Sequence, residues 1–262
     1  NALFVKYYDG SYFRFSGLFD NPNYFAGYCA LLLAVISSYI MLTKPTKSMW
    51  FQLLIVLVFG LATLSKAFLV LVGIITGCFL IHLIIKCYKN EIHKKYVPLI
   101  IGMVIILLIV FFTIFAQRYN FTKEFDINDL TTGRYEIWVY YLATLSSSVL
   151  TLLFGFGVQN IIINDNGTMS AHNIYIELLQ KLGVLGMLIL LALIILFFVF
   201  AITKNKNKIC VSAFLPFAIF VIYGLIESML YNAGLSILIP FVIVFPFFNL
   251  FSKDVKVQNN EP

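Results

Sequence analysis

The sequence has 262 residues, of which 61% are hydrophobic and 11% are charged, and its mean hydropathy is +0.95. This composition excludes an ordinary soluble domain, in which about a quarter of the residues are charged. The apolar residues form long runs, whereas a transmembrane β-barrel would show alternating segments of about ten residues. The sequence therefore predicts an all-α protein, a polytopic bundle of transmembrane helices.

The net charge of +6 comes largely from lysines in the short segments between apolar runs. Lysines in such segments set the orientation of a membrane protein, so they do not indicate a nucleic-acid partner. The four cysteines lie in or beside apolar runs without the spacing of a metal site, and the three histidines are dispersed. We therefore predict no metal, no disulfide framework and no cofactor.

The chain opens with Asn1 and a polar, aromatic stretch that lacks the pattern of a signal peptide. We interpret it as the C-terminal part of a longer protein with further spans before it. A cluster of turn-forming residues precedes Asn23, and Pro22 within it is placed to start a helix. Seven apolar segments of nearly bilayer-crossing length follow, at about residues 24–43, 49–64, 67–85, 97–116, 184–203, 210–230 and 234–251.

The apolar run from Met49 to Ile85 is interrupted by Ser65 and Lys66. It is too long for one span, so we predict two antiparallel helices joined by a hairpin at residues 63–66. One long tilted helix is the alternative, but it would leave the Lys66 charge in lipid. The whole chain forms one membrane domain in this interpretation.

The lysines lie on alternate sides of the predicted spans. Residues 44–48, 86–96, 204–208 and 252–262 hold eleven lysines and three acidic residues. The positive-inside rule makes this side cytoplasmic. The long polar loop at 117–182 is then extracytoplasmic, and the same outer face receives Arg14, Asn21, Asn23, Lys66, Arg118, Arg134 and His172.

The first half of this loop predicts a helix from Gly133 to about Leu145. Arg134, Trp138 and Tyr141 share one face by helical spacing. One interpretation is an interfacial amphipathic helix whose Arg snorkels. The other is that Arg134, at a helix N-terminus, binds an anionic group such as a phosphate.

The second half of the loop contains His172, which follows a predicted N-cap at Ser170 and precedes Asn173. A helix N-terminus favours the neutral imidazole, which can accept a proton as a general base. The alternative is an interfacial histidine that only hydrogen-bonds the loop, and His82 and His93 fit that description.

Three other charged residues each have a functional and a structural interpretation. Lys66 either caps the hairpin or supplies a second cation for the same anion. Glu227, near the outer end of the predicted span 210–230, either acts in the site or packs helices, and intramembrane carboxylates are often functional. Arg14 either joins the site or anchors its loop.

Five short motifs follow one another along the chain. They are Arg-x-Ser-Gly-x-Phe-x-Asn-Pro-Asn at 14–23, Leu-Ser-Lys at 64–66, Thr-Gly-Arg followed by Ile-Trp at 132–138, Gly-Phe-Gly at 155–157, and Ala-His-Asn-x-Tyr followed by Gly-x-x-Gly at 171–186. This ordered set, over about residues 13–190, resembles the O-antigen ligase and Wzy-type polysaccharide polymerase family. A chain that has lost the N-terminal spans of that family would start in this way.

The resemblance implies a membrane-embedded, GT-C-like glycosyltransferase that is inverting and independent of metal. Its donor would be a glycan on undecaprenyl diphosphate at the outer leaflet of the bacterial cytoplasmic membrane. His172 would deprotonate the acceptor hydroxyl of a glycan, and Arg134 with Arg14 would bind the diphosphate. A flippase and a chain-length regulator would be partners. The further substrate-binding residues would be Lys66 (where the family often has Arg), Asn23, Asn173, Trp138 and Glu227.

Members of this family differ in the acceptor that receives the glycan. It is another lipid-linked glycan for a polymerase, the lipid A core for a ligase, or a protein. We favour the polymerase for capsule, exopolysaccharide or O-antigen, because nothing in the sequence indicates a lipid A or protein acceptor. A transporter or flippase of lipid-linked glycan is the alternative from another class, but it would have polar groups along a path through the spans. A non-catalytic scaffold is the third alternative.

Overall fold

A computed structural model of the chain describes residues 4–6, 13–43, 46–89, 102, 133–157, 163–164, 167–168, 170–204 and 214–228. This part of the chain is mainly helical, as predicted. Its helices are α1 (Pro22–Leu42), α2 (Lys47–Ala62), α3 (Lys66–Lys89), α4 (Arg134–Leu145), α5 (Val149–Phe154), α6 (Ile174–Lys204) and α7 (Leu215–Gly224). Its strands are β1 (Phe4–Lys6), β2 (Phe13–Phe15), β3 (Ile163–Asn164) and β4 (Gly167–Thr168).

Three helices are long and apolar enough to cross a membrane. They are α1, the segment Lys66–Ile85 of α3 and the segment Ile174–Leu196 of α6. Together with the apolar, 16-residue α2, they confirm a multi-pass membrane protein. The predicted spans at 97–116, apart from residue 102, and at 234–251 lie outside the described residues.

Helix α1 lies at the centre of the described bundle, where it packs against α2, α3 and α7. It begins where the sequence predicts, with Pro22 in its first turn and the Asn21 side chain accepting from Asn23 N–H at 2.8 Å. Its buried face is rich in small residues, which allow close approach. A Cβ on Gly27 would lie 2.3 Å from the Tyr223 ring of α7, so this crossing requires glycine.

The predicted hairpin between α2 and α3 is confirmed. Its turn is Thr63–Ser65, where Thr63 Oγ1 donates to the Gly60 carbonyl at 2.6 Å and accepts from Ser65 N–H at 3.2 Å. Leu64 adopts a positive φ of 51°. The chain reverses here because a continuous helix would place the polar Thr63–Lys66 segment in the middle of an apolar helix.

A second close contact joins the Gly-Phe-Gly segment to helix α6. Phe156 N–H donates to the Gln180 carbonyl at 2.8 Å and Gly157 N–H to the Lys181 carbonyl at 3.0 Å. Those carbonyls are accessible because α6 is interrupted at Gly183, where φ is 65°. Helix α6 therefore consists of two helical segments, one on each side of Gly183.

The structure corrects one predicted span. Within 210–230 the described residues form α7, a ten-residue helix that ends at Gly224. The helix ends in a 3₁₀-type turn, in which the N–H groups of Leu225 and Ile226 donate to the carbonyls three residues earlier, at 3.2 and 2.9 Å. Glu227 therefore lies in non-helical chain after α7, and the prediction that it sits inside a span is wrong.

The N-terminal stretch contains a structure that the sequence analysis did not predict. Strands β1 and β2 pair antiparallel, with Val5 opposite Arg14. Phe15 of β2 lies against the rings of Phe25 in α1 and Phe59 in α2. This aromatic packing fixes β2 beside the hairpin and so positions Arg14.

Candidate functional site

The carboxylate of Glu227 is the centre of a group of polar contacts between distant parts of the chain. Glu227 is 1% exposed. Its Oε1 accepts from Arg134 Nη2 at 2.8 Å and from Asn23 Nδ2 at 2.9 Å, and its Oε2 lies 2.9 Å from His172 Nδ1. A buried carboxylate needs such donors to remain ionised. Four sequence-predicted site residues are thus brought together.

Arg134 reaches this carboxylate from the first position of α4. The helix starts at Gly133, whose φ of 79° has a left-handed value that favours glycine. The Arg134 guanidinium donates through Nη2 to Glu227 and through Nη1 to the Ile226 carbonyl. The sequence predicts an anionic partner for Arg134, and in the structure that partner is a carboxylate of the protein.

His172 approaches the other oxygen of Glu227 from the segment before α6. Its backbone has a φ of 48°, which is uncommon for a residue other than glycine. Because an ionised carboxylate only accepts, Nδ1 carries the proton in this contact, and Nε2 is then the acceptor of the neutral ring. The side chain is 30% exposed, so the imidazole remains accessible.

The charge state of Glu227 follows from these neighbours. Burial raises the pKa of Glu227, but the hydrogen bond to His172 and the charge of Arg134 outweigh it, so the pKa lies below its ordinary value. Glu227 is therefore an anion at neutral pH. It offsets one of the two arginine charges around it.

Arg14 completes the group from the opposite side. It donates through Nη2 to Asn23 Oδ1 at 2.7 Å and through Nε to the Thr63 carbonyl at 2.8 Å. Asn23 thereby connects Arg14 to Glu227, and its own backbone carbonyl accepts from the Tyr223 hydroxyl. The α2–α3 hairpin, α1 and the end of α7 are tied together at this point.

Two further predicted site residues make structural contacts. Asn173 Oδ1 accepts from the N–H groups of Tyr175 and Ile176 at 3.0 and 3.2 Å, so Asn173 caps α6, and the prediction of a cap at Ser170 is wrong. Asn173 Nδ2 also donates to the Leu225 carbonyl at 3.2 Å. Trp138 Nε1 donates to the Ala171 carbonyl at 2.7 Å, next to His172.

Lys66 lies at the edge of this group as the exposed first residue of α3. Arg14 binds the Thr63 carbonyl three positions earlier. The N-terminus of a helix carries a partial positive charge, which disfavours a lysine there. The stability of α3 therefore does not explain why Lys66 is at this position. Across the described ranges, no three His, Cys, Asp or Glu side chains are grouped as a metal site would require.

The sequence analysis missed the central place of Glu227 and did not single out Glu177. Glu177 is a buried residue in the first turn of α6, and it accepts hydrogen bonds from the segment that carries His172. The sequence does contain a signal for these two residues. Glu177 and Glu227 are acidic residues in largely apolar segments, where a carboxylate requires hydrogen-bond donors from elsewhere in the chain.

Comparison with known proteins supports the resemblance that the motifs indicate. A sequence model of the family described as O-antigen ligase matches residues 33–191, which is more than half of the chain. No curated protein and no solved structure matches the chain.

Proposed function

The chain belongs to the O-antigen ligase family, whose members are membrane enzymes that act on lipid-linked glycans, and from this premise we propose a specific activity for it. We propose that it is an inverting, metal-independent glycosyltransferase that extends or transfers glycans carried on undecaprenyl diphosphate. The observation that carries this proposal is the accessible His172 ring held by Glu227 beside Arg134.

His172 is the proposed general base. With the proton on Nδ1 and facing Glu227, Nε2 accepts the proton of an acceptor hydroxyl as that oxygen attacks the anomeric carbon of the donor sugar. Glu227 stabilises the imidazolium that forms, because it is an anion 2.9 Å from Nδ1. The carboxylate remains ionised throughout and orients the ring.

Arg134 and Arg14 are the proposed cations for the donor. As the bond between the anomeric carbon and the diphosphate oxygen breaks, its electron pair goes to the diphosphate, which leaves with added negative charge. Two guanidinium groups near that oxygen lower the barrier by stabilising this charge. One displacement step inverts the anomeric centre, and the lipid diphosphate is a good enough leaving group that no metal is required.

The proposal places this chemistry at the outer leaflet of the bacterial cytoplasmic membrane. It includes a multi-pass, GT-C-like architecture, a single domain over 1–262 and an extracytoplasmic loop at 117–182. The partners are the lipid-linked donor, a glycan acceptor, the bilayer, a flippase and a chain-length regulator. Lys66, Asn23, Asn173, Trp138 and Glu227 are proposed to bind substrate or to support residues that do.

The acceptor is proposed to be a second lipid-linked glycan, which makes the enzyme a polymerase. Transfer to a lipid A core is the alternative within the same chemistry. A transporter fits less well, because the polar contacts described above gather around one carboxylate and do not follow a path through α1, α3 and α6.

A reconstitution experiment tests the activity. The purified full-length protein is incubated in liposomes with undecaprenyl-diphosphate-linked repeat units, and products are separated by chain length on a gel. We expect extended chains from the wild type and none from His172→Ala or Arg134→Ala. His82→Ala is the control, because His82 lies sixteen residues after Lys66 on α3, about 24 Å along the helix axis from the hairpin. Normal chain length in both site variants would reject the proposal.

A further inference from the structure

A second buried carboxylate, that of Glu177, lies beside the Glu227 contacts and has no part in the proposed chemistry. It belongs to the first turn of α6 and is 5% exposed. Its Oε1 accepts from Ser170 Oγ at 2.7 Å, from Ala171 N–H at 3.0 Å and from Ser228 Oγ at 2.6 Å. Two of these donors immediately precede His172, and the third immediately follows Glu227.

These hydrogen bonds fix the backbone on both sides of the contact between His172 and Glu227. The Ser170 hydroxyl that donates to Glu177 also accepts from His172 N–H at 3.2 Å. His172 has a φ of 48°. A non-glycine residue in this left-handed region is strained, and it persists only where its surroundings hold it. Glu177 is the acceptor on which those surroundings converge.

We infer that Glu177 is a positioning residue that joins the Ser170–His172 segment to Ser228, so that His172 Nδ1 stays on Glu227. Its effect on turnover rests on the proposed function, whereas its effect on the geometry of His172 does not. A carboxylate suits this role because it only accepts, and one oxygen takes all three donors. The helix N-terminus also stabilises its negative charge.

Glutamine at this position should act as a partial substitute. Its Oε1 preserves an acceptor for the three donors, although a neutral oxygen accepts more weakly than a charged one. The other oxygen of Glu177, Oε2, has no hydrogen-bond partner among the described residues, so an amide nitrogen there does not displace a described donor. Alanine removes the acceptor completely and leaves the two hydroxyls and one N–H without it.

The first test measures the position of His172 without any glycan substrate. Full-length protein in nanodiscs is treated with diethyl pyrocarbonate, and modification of the His172 peptide is followed by mass spectrometry. Glu177→Ala removes three hydrogen bonds, so we expect it to change the modification rate by at least about fivefold, the factor for one lost hydrogen bond, and we expect Glu177→Gln to change it less. Glu136→Gln is the matched control, because Glu136 is an exposed carboxylate in the first turn of α4.

The second test measures turnover of the same variants with lipid-linked repeat units. A positioning role predicts that Glu177→Ala lowers kcat by about tenfold or more while KM changes little, and that Glu177→Gln recovers part of the loss. A folded Glu177→Ala protein with wild-type labelling and wild-type kcat would overturn the inference.

A third variant covers the case in which Glu177→Ala does not fold. Ser228→Ala removes one donor and leaves the carboxylate in place, and we expect smaller changes in the same direction. Wild-type labelling and turnover in Ser228→Ala and Glu177→Gln together would then overturn the inference. If His172→Ala retains full turnover, the proposed function fails, but labelling still reports whether Glu177 holds the ring.

Discussion

His172 and Arg134 meet on opposite oxygens of one carboxylate: His172 Nδ1 lies 2.9 Å from Glu227 Oε2, and Arg134 Nη2 lies 2.8 Å from Glu227 Oε1. The two residues come from opposite ends of the long polar loop. Their proximity depends on a third residue that follows the last described helix. The candidate base and the candidate cation are therefore coupled through Glu227, and a change at this carboxylate should affect both.

The substitution Glu227→Gln should impair both stability and activity. It keeps the shape of the side chain but removes the charge that Arg134 faces and can present an N–H to His172 Nδ1. We expect a loss of roughly 1.5–3 kcal/mol of stability, the range for hydrogen bonds to charged groups. Chain extension should fall about 10–100-fold, as for other residues that orient a reactive group. Thermal unfolding and the gel assay measure the two effects, and a Glu227→Gln protein with wild-type activity would contradict the coupling.

Acid should remove the contribution of Glu227 to stability. The pKa of folded Glu227 lies below its ordinary value of 4.5, because the hydrogen bond to His172 and the charge of Arg134 outweigh burial. The folded state thus binds this proton less tightly than the unfolded state. The stabilisation is complete above the ordinary pKa and is lost as pH falls through the folded pKa.

This acid dependence is measured as the difference in melting temperature between wild type and Glu227→Gln, from pH 7 down to the lowest pH at which both remain folded. Comparison within this pair cancels the titration of the other carboxylates. The difference should narrow as the pH falls below about 4.5. A difference that stays constant throughout would show that Glu227 does not contribute through its charge.

The substitution Gly183→Ala should destabilise the contact between α5 and α6. Gly183 has a φ of 65°, and an added Cβ would lie 2.3 Å from the Leu153 carbonyl oxygen. Both backbone strain and steric overlap therefore oppose alanine, and we expect the free energy of unfolding to fall by about 1–3 kcal/mol or more.

A matched alanine substitution separates this effect from helix propensity. Gly73 lies inside α3, and apart from its chain neighbours and the backbone of its own helix no heavy atom of the described residues lies within 4 Å of a Cβ added there. Gly73→Ala should be neutral or should stabilise by up to about 1 kcal/mol, because alanine favours a helix over glycine. Equal melting temperatures for both variants would show that the break at Gly183 tolerates a side chain.

Local features of this fold could be predicted from the sequence because their causes are local. Pro22 and the turn residues before it determine the start of α1, and the polar Thr63–Lys66 segment determines the hairpin. The face that Arg134, Trp138 and Tyr141 share on α4 follows from helical spacing, and Tyr141 is buried while Trp138 packs beside it.

The centre of the candidate site could not be predicted in this way. Glu227 contacts Arg134 and Asn23 across 93 and 204 residues, and its position depends on where α7 ends. Apolar composition continues beyond Gly224 and so gives no signal for that end. The sequence also did not distinguish Asn173 from Ser170 as the cap of α6, because both residue types cap helices well. In the structure the Ser170 hydroxyl instead donates to Glu177.

Arg14 offers a test of whether the site needs a guanidinium or only a positive charge. Its Nε and Nη2 donate to acceptors on two different elements, the Thr63 carbonyl and Asn23 Oδ1. Lysine keeps the charge but has a single nitrogen that cannot reproduce this fork. We expect Arg14→Lys to lose about tenfold in chain extension, and Arg14→Gln, which also loses the charge, to lose more. Lys66→Arg is the comparison, because it keeps the charge at an exposed position and should remain active. If Arg14→Lys is fully active while Arg14→Gln is not, Arg14 acts through its charge alone, and the link from the hairpin to Asn23 is dispensable for turnover.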